Sequence, residues 1–113
     1  MTVKQLVDAL SLREFTVADS EREITGGYAG DLLSWVMGRA AEGDAWVTIM
    51  TNINVVAVAS LADVSCVLLA EGVSVPDDVL AAASDKGVTL LGSDKPIYEL
   101  CKALGEALDG ETA

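Results

Sequence analysis

A chain of 113 residues, 51% of them hydrophobic, is sized for one domain around one core. With two Trp, two Tyr and one Phe, that core must be built mainly from Val, Leu, Ile and Ala. The formal charge of −11, from 18 acids against 7 bases, repels phosphate backbones and anionic lipid, so nucleic acid and membrane surfaces are excluded as partners. The absence of histidine removes the usual general base near neutral pH and the commonest metal ligand.

In chain order, Thr2 is placed to cap a short helix from Val3 to Leu10, with Leu6, Val7 and Leu10 on one face. Residues 13–17 read as a strand in which Phe15 and Val17 alternate with polar neighbours, and residues 18–22 as a turn. A second short strand is expected over 23–25, before the glycines. Asp31 then stands as the N-cap of a helix carrying Leu32, Leu33, Val36 and Met37, ending near Ala40 or Ala41 with Gly43 beyond it.

From Trp46 the rhythm changes. The runs 46–50, 66–70 and 88–91 are continuous, apolar and β-rich, as strands covered on both faces must be. The segment 53–63 has strand-forming valines, but a following parallel strand requires a crossover, so it is predicted helical with Asn52 or Asn54 as its cap. Pro76 to Lys86 reads as a helix stopped by Gly87. A last helix runs through Leu108, with Ser93 or Asp94 as its cap and Pro96 early. Residues 109–113 are expected to fray. The sum is β-α-β-α-β-α after a smaller N-terminal portion, which is an α/β fold with a mainly parallel sheet.

The 18 residues from Ala45 to Ala62 carry no charge, the length of a membrane span. Thr48, Thr51, Asn52, Asn54 and Ser60 interrupt them, and no Lys or Arg occurs between Arg39 and Lys86 to anchor such a span. Burial in a soluble core fits better. No basic segment followed by an apolar one opens the chain, so no secretory signal is expected. Cys66 lies in an apolar run and Cys101 beside Leu100, without Cys-x-x-Cys spacing. They read as two reduced thiols of a cytoplasmic protein, with no metal site and no cofactor.

The stretch Glu21-Arg22-Glu23-Ile24-Thr25-Gly26-Gly27-Tyr28 resembles the signature of the DRTGG domain family. The continuation Gly30-Asp31-Leu32-Leu33-Ser34 and the later WVTIMTN are also similar to it, so the resemblance spans roughly Val3 to Leu108. Ser20 or Glu21 stands where the family name carries Asp. The resemblance implies one domain over 1–108, similar to the N-terminal domain of HPr kinase/phosphorylase. It also implies a regulatory role, since related domains accompany CBS domains, phosphotransacetylase and cobyrinic-acid-synthase-like modules. Kinase activity is not implied: the chain has no Gly-x-x-x-x-Gly-Lys-Ser/Thr loop, on which that phosphate chemistry is built.

The candidate ligand-binding residues are Arg22, Thr25, Gly26, Gly27, Tyr28, Gly30 and Asp31, joined by Thr51, Asn52 and Ser93 from the expected carboxyl ends of the strands. Backbone geometry and helix capping explain the same residues without any ligand. A positive φ at Gly27 would make a Cβ there costly. Asp31 at a helix start opposes a bare anion, and Arg22 either compensates or pairs with Glu21, Glu23 or Asp31, so an uncharged or mixed-charge ligand fits best. No nucleophile-base-acid set is visible, and a catalytic role is not expected. The expected function is ligand sensing or regulation of a metabolic enzyme, with a small metabolite or nucleotide as ligand. A structural adaptor that docks on an enzyme without a ligand is the competing reading. The uncharged 45–62 segment suggests a core completed between subunits, with a homodimer as the default homo-oligomer.

Overall fold

The run of buried strands predicted from the sequence forms the centre of a five-stranded sheet. The computed structural model describes residues 1–112, with side chains through residue 110. Among the described residues the order is α1 (Val3–Leu10), β1 (Arg13–Thr16), β2 (Gly26–Ala29), α2 (Leu33–Arg39), β3 (Asp44–Thr48), α3 (Ile53–Ala62), β4 (Cys66–Leu69), α4 (Asp77–Lys86), β5 (Leu90–Gly92) and α5 (Ile97–Thr112). The strands lie in the order β1-β5-β4-β3-β2. β2 to β5 are parallel and β1 joins β5 antiparallel.

Because β2, β3, β4 and β5 succeed one another across the sheet, right-handed crossovers put α2, α3 and α4 on one face. α1 and α5 cover the other. Side chains of the central strands alternate between these two layers, as the strand period of two requires. Trp46, Val67, Leu69 and Leu90 pack with Val36, Val55, Val56, Val79 and Ala83 on the first face. Ala45, Val47, Cys66, Leu68 and Leu91 pack with Val3, Leu6, Leu100 and Leu104 on the second.

Local chemistry explains most helix ends. Thr2 and Gln5 form a reciprocal capping box at α1. The Asn52 side chain accepts from the Asn54 amide at the start of α3. Gly87 ends α4 at φ 68°.

The glycines depart from expectation. Residues 23–25 form no strand, only an isolated bridge between Thr2 and Glu23, and the strand is Gly26–Ala29 itself, paired with β3. Its glycines are needed for close approach. A Cβ at Gly26 would lie 2.8 Å from Asp44 Oδ1, and one at Gly27 would lie 3.1 Å from Leu104 Cδ2. Gly27 does not have positive φ. Ladder hydrogen bonds to β3 and room for α5 outweigh the weak strand propensity of Gly.

The predicted caps of two helices are also corrected. α2 starts at N-cap Leu32 with no side-chain cap. Asp31 instead ties β2 to β3, its Oδ1 accepting from the Thr48 hydroxyl at 2.6 Å and the Ile49 amide at 3.2 Å. At α5 neither Ser93 nor Asp94 caps. The Ile97 amide donates to Glu71 Oε2 at 3.0 Å, a partner 26 residues away that local spacing cannot reveal. α5 continues past Leu108 to Thr112, and residue 113 lies outside the described residues.

Gly43 holds the turn between α2 and β3 at φ +85°, with the Thr25 side chain where a Cβ would sit. Gly43→Ala therefore meets both backbone strain and a clash. It should lower stability by at least about 1 kcal/mol, read as a lower urea midpoint at unchanged slope.

Candidate functional site

Parallel strands all end on the same rim, and that rim is where open α/β sheets bind ligands, at the point where neighbouring connections part to opposite faces. Here the point lies between β4 and β5, since β4 leads to α4 on one face and β5 to α5 on the other. The chain fills much of this crevice itself. The Glu71 amide donates to the Lys95 carbonyl and the Gly72 amide to the Ser93 carbonyl, each at 2.9 Å. Ser93 Oγ accepts from the Lys95 amide at 3.1 Å. The Glu71 carboxylate occupies the amino end of α5, the place a phosphate would otherwise use. Glu71 itself is left-handed at φ 65°. Arg13 pairs with Asp94 at 3.2 Å on the surface.

The expected site residues divide. Gly30, Asp31, Thr51, Asn52 and Ser93 lie along the carboxyl rim, where Asn52 also caps α3. Arg22 and Thr25 lie at the opposite rim. Arg22 pairs with neither Glu21, Glu23 nor Asp31: Nη1 donates to Asp63 Oδ1 and Nη2 to the Asp63 carbonyl, both at 2.8 Å. Thr25 donates to the Glu42 carbonyl at 3.1 Å. Gly26, Gly27 and Tyr28 run between the rims along β2. The glycine motif therefore spans the sheet edge instead of encircling one ligand.

A groove of about 280 Å³ lies between that edge and α5, lined by Gly27, Ala29 and Val47 on one side and Cys101, Leu104 and Leu108 on the other. It has no charged lining side chain and falls just under the usual size of a ligand pocket. The α5 residues of this groove were not expected from the sequence, although their i, i+3, i+7 spacing marks one helix face. A broader depression of about 590 Å³ lies between the end of α1 and α5, with Lys95 and Glu106 in its lining.

The thiols are not activated. Burial pushes Cys66 from an ordinary 9.0 up to about 12, against the smaller lowering effects of the Ser65 hydrogen bond and Arg22. Burial also raises Cys101. Among the described residues no group of three or more His, Cys, Asp or Glu side chains is placed to hold a metal ion. No helix of the described residues is long and apolar enough to cross a membrane.

No protein-family model and no curated protein matches the chain. Among solved structures it is similar to the CBS and DRTGG domains of the regulatory region of Clostridium perfringens pyrophosphatase, complexed with the activator diadenosine tetraphosphate. The TM-score is 0.75 at 12% identity, over 90% of this chain and 45% of that one. The chain thus spans less than half of the structure it matches. The likeness supports a DRTGG-like α/β fold.

A thiol reagent tests the burial argument. Near pH ~8 the folded protein should yield at most one slowly reacting thiol, Cys101, and both only after unfolding. Since the folded Cys66 value lies above its ordinary one, its contribution to stability is fully present below pH 9.0 and is lost as pH rises toward about 12. Stability that stayed flat through that alkaline window, or fast native labelling of Cys66, would contradict this picture.

Proposed function

We propose that this chain is a non-catalytic regulatory domain that senses a small metabolite or nucleotide and controls a metabolic enzyme in the cytoplasm. The observation that carries the reading is its fold likeness to the regulatory region of an enzyme bound to a nucleotide activator. The carboxyl rim, with Thr51, Asn52 and Ser93, is the ligand surface in this reading. Its acids Asp31, Glu71 and Asp94 stand among the bases Arg13 and Lys95. Such a rim favours a ligand of mixed charge or none over a bare phosphate. Arg22, held by Asp63 at the other rim, is an anchor for the turn in this reading. The domain is taken as residues 1–108, and it self-associates as a dimer, the commonest closed oligomer.

A second reading, an adaptor that docks on a partner without a ligand, is favoured by the exposed Leu32 at the N-cap of α2 and Trp35 within it. A thermal-shift panel of nucleotides, diadenosine tetraphosphate and central metabolites separates the two. A ligand at tenfold its Kd contributes about 1.4 kcal/mol, a rise of roughly 4–8 °C in Tm for a domain near this size. Ser93→Ala or Thr51→Val should reduce that rise, whereas Arg22→Ala should keep it. A panel without any rise would overturn sensing in favour of docking. With ATP, magnesium and HPr, the purified chain should give no phosphorylation above buffer, and sustained turnover would defeat the non-catalytic reading.

A further inference from the structure

The two edges of the sheet differ in kind. β1 carries Arg13 and Glu14, both exposed, and charged side chains on an edge strand discourage further pairing. β2 carries Gly26, Gly27, Tyr28 and Ala29 and no charge, yet it too has a strand on only one side. Its free edge offers backbone donors and acceptors to an extended chain. On the α5 side of that edge lies the apolar groove with Leu104 and Leu108.

The α2 side of the edge is also apolar. Val36 is buried, and Leu33 and Ala40 pack against the same core cluster. At helical spacing this places Leu32, Trp35 and Arg39 together on one flank and Met37 on the other. A right-handed crossover from β2 to β3 turns the first flank toward the free edge. Leu32 is 56% exposed there and Trp35 52% exposed. The Arg39 guanidinium lies 3.7 Å over the Trp35 ring. Although acids far outnumber bases in this chain, Arg39 has no carboxylate partner among the described residues. Asp31, at the other end of α2, is bonded through Oδ1 only.

We infer that the β2 edge, with the Leu32–Trp35–Arg39 flank of α2, docks a second copy of this chain. The two β2 strands would pair antiparallel across a two-fold axis. The arrangement is self-complementary. Asp31 and Arg39 stand equally far from Trp35 in sequence, one on each side. In the proposed dimer, a two-fold axis beside Trp35 would set the Arg39 end of each flank against the Asp31 end of the other, while Asp31 keeps its Oδ1 bonds to Thr48 and Ile49. β2 rises about 10 Å and α2 descends about as far, so the midpoints of strand and helix lie at one level and share the axis. Pairing closes the uncharged edge, covers both Trp35 rings and gives each unpaired Arg39 a carboxylate. A foreign peptide could satisfy the strand edge, but only a second copy supplies the matching Asp31 and Arg39 positions.

This inference rests on the self-association part of the proposed function and is independent of ligand sensing. Sedimentation velocity across the micromolar range should give twice the chain mass. Ala29→Lys and Trp35→Asp should each weaken the dimer by at least roughly tenfold, as loss of a central interface contact does. Val17→Asp, on the chain leaving the opposite edge, should leave it unchanged. Arg39→Glu should weaken the dimer and the exchange Arg39→Glu with Asp31→Arg should restore it. Circular dichroism confirms that each variant is folded. Trp35 emission should shift to the blue on association while buried Trp46 stays constant. A strict monomer overturns both self-association and this surface. A dimer indifferent to Ala29→Lys and Trp35→Asp overturns the surface alone.

Discussion

Because β3, β4 and β5 are buried along their full length on both faces, the sheet must be covered twice, and everything else in the molecule is arranged to do that. Strands without an exposed side chain have no solvent face to lose, so a missing layer would leave apolar area in water at about 25 cal/mol per Å². Three consecutive crossovers supply the first layer. The second comes from the two ends of the chain, α1 and α5, which are drawn together across the back of the sheet. This explains why the N-terminal helix is anchored so closely, with the Val3 amide donating to the Arg22 carbonyl and the Ile24 amide to the Met1 carbonyl.

The same requirement shapes the carboxyl rim. Sending α5 to the back while α4 stays in front opens a crevice between β4 and β5. The chain stabilises that crevice with its own Glu71, held in a left-handed conformation so that its carboxylate reaches the start of α5. A helix start satisfied internally gives less to an anion. In the proposed sensing role such a rim would favour neutral or mixed-charge ligands, and the surplus of acids in the chain points the same way.

The sheet edge follows from β2 being the outermost strand. Close packing against Asp44 at Gly26 and against Leu104 at Gly27 leaves no room for a side chain at those two positions, and the strand carries no charge and has no partner strand on its far side. β1 at the other margin faces no such restriction and carries charge. In the dimer proposed above, the acidic charge carried elsewhere would disfavour other contacts between copies and leave this uncharged margin as the one of least repulsion.

The order of helices and strands was legible in the sequence because it rests on local chemistry: apolar runs for the buried strands, Thr2, Asn52 and Gly87 at helix ends, and the need for crossovers between parallel strands. The glycine motif was legible as a motif but not as a strand, since Gly26–Ala29 is extended only because β3 pairs with it and α5 presses on it. Asp31, Arg22 and Ser93 looked like capping or ligand groups from their neighbours in sequence. The partners of Asp31 and Arg22, namely Thr48 with Ile49 and Asp63, were decided by the tertiary structure, as was the Gly72 amide that donates to the Ser93 carbonyl; only the Ser93 hydroxyl bonds locally, to the Lys95 amide. The physical reason is range: caps and periodicity act within a turn or two of chain, whereas a hydrogen bond across strands depends on which segments the fold brings side by side.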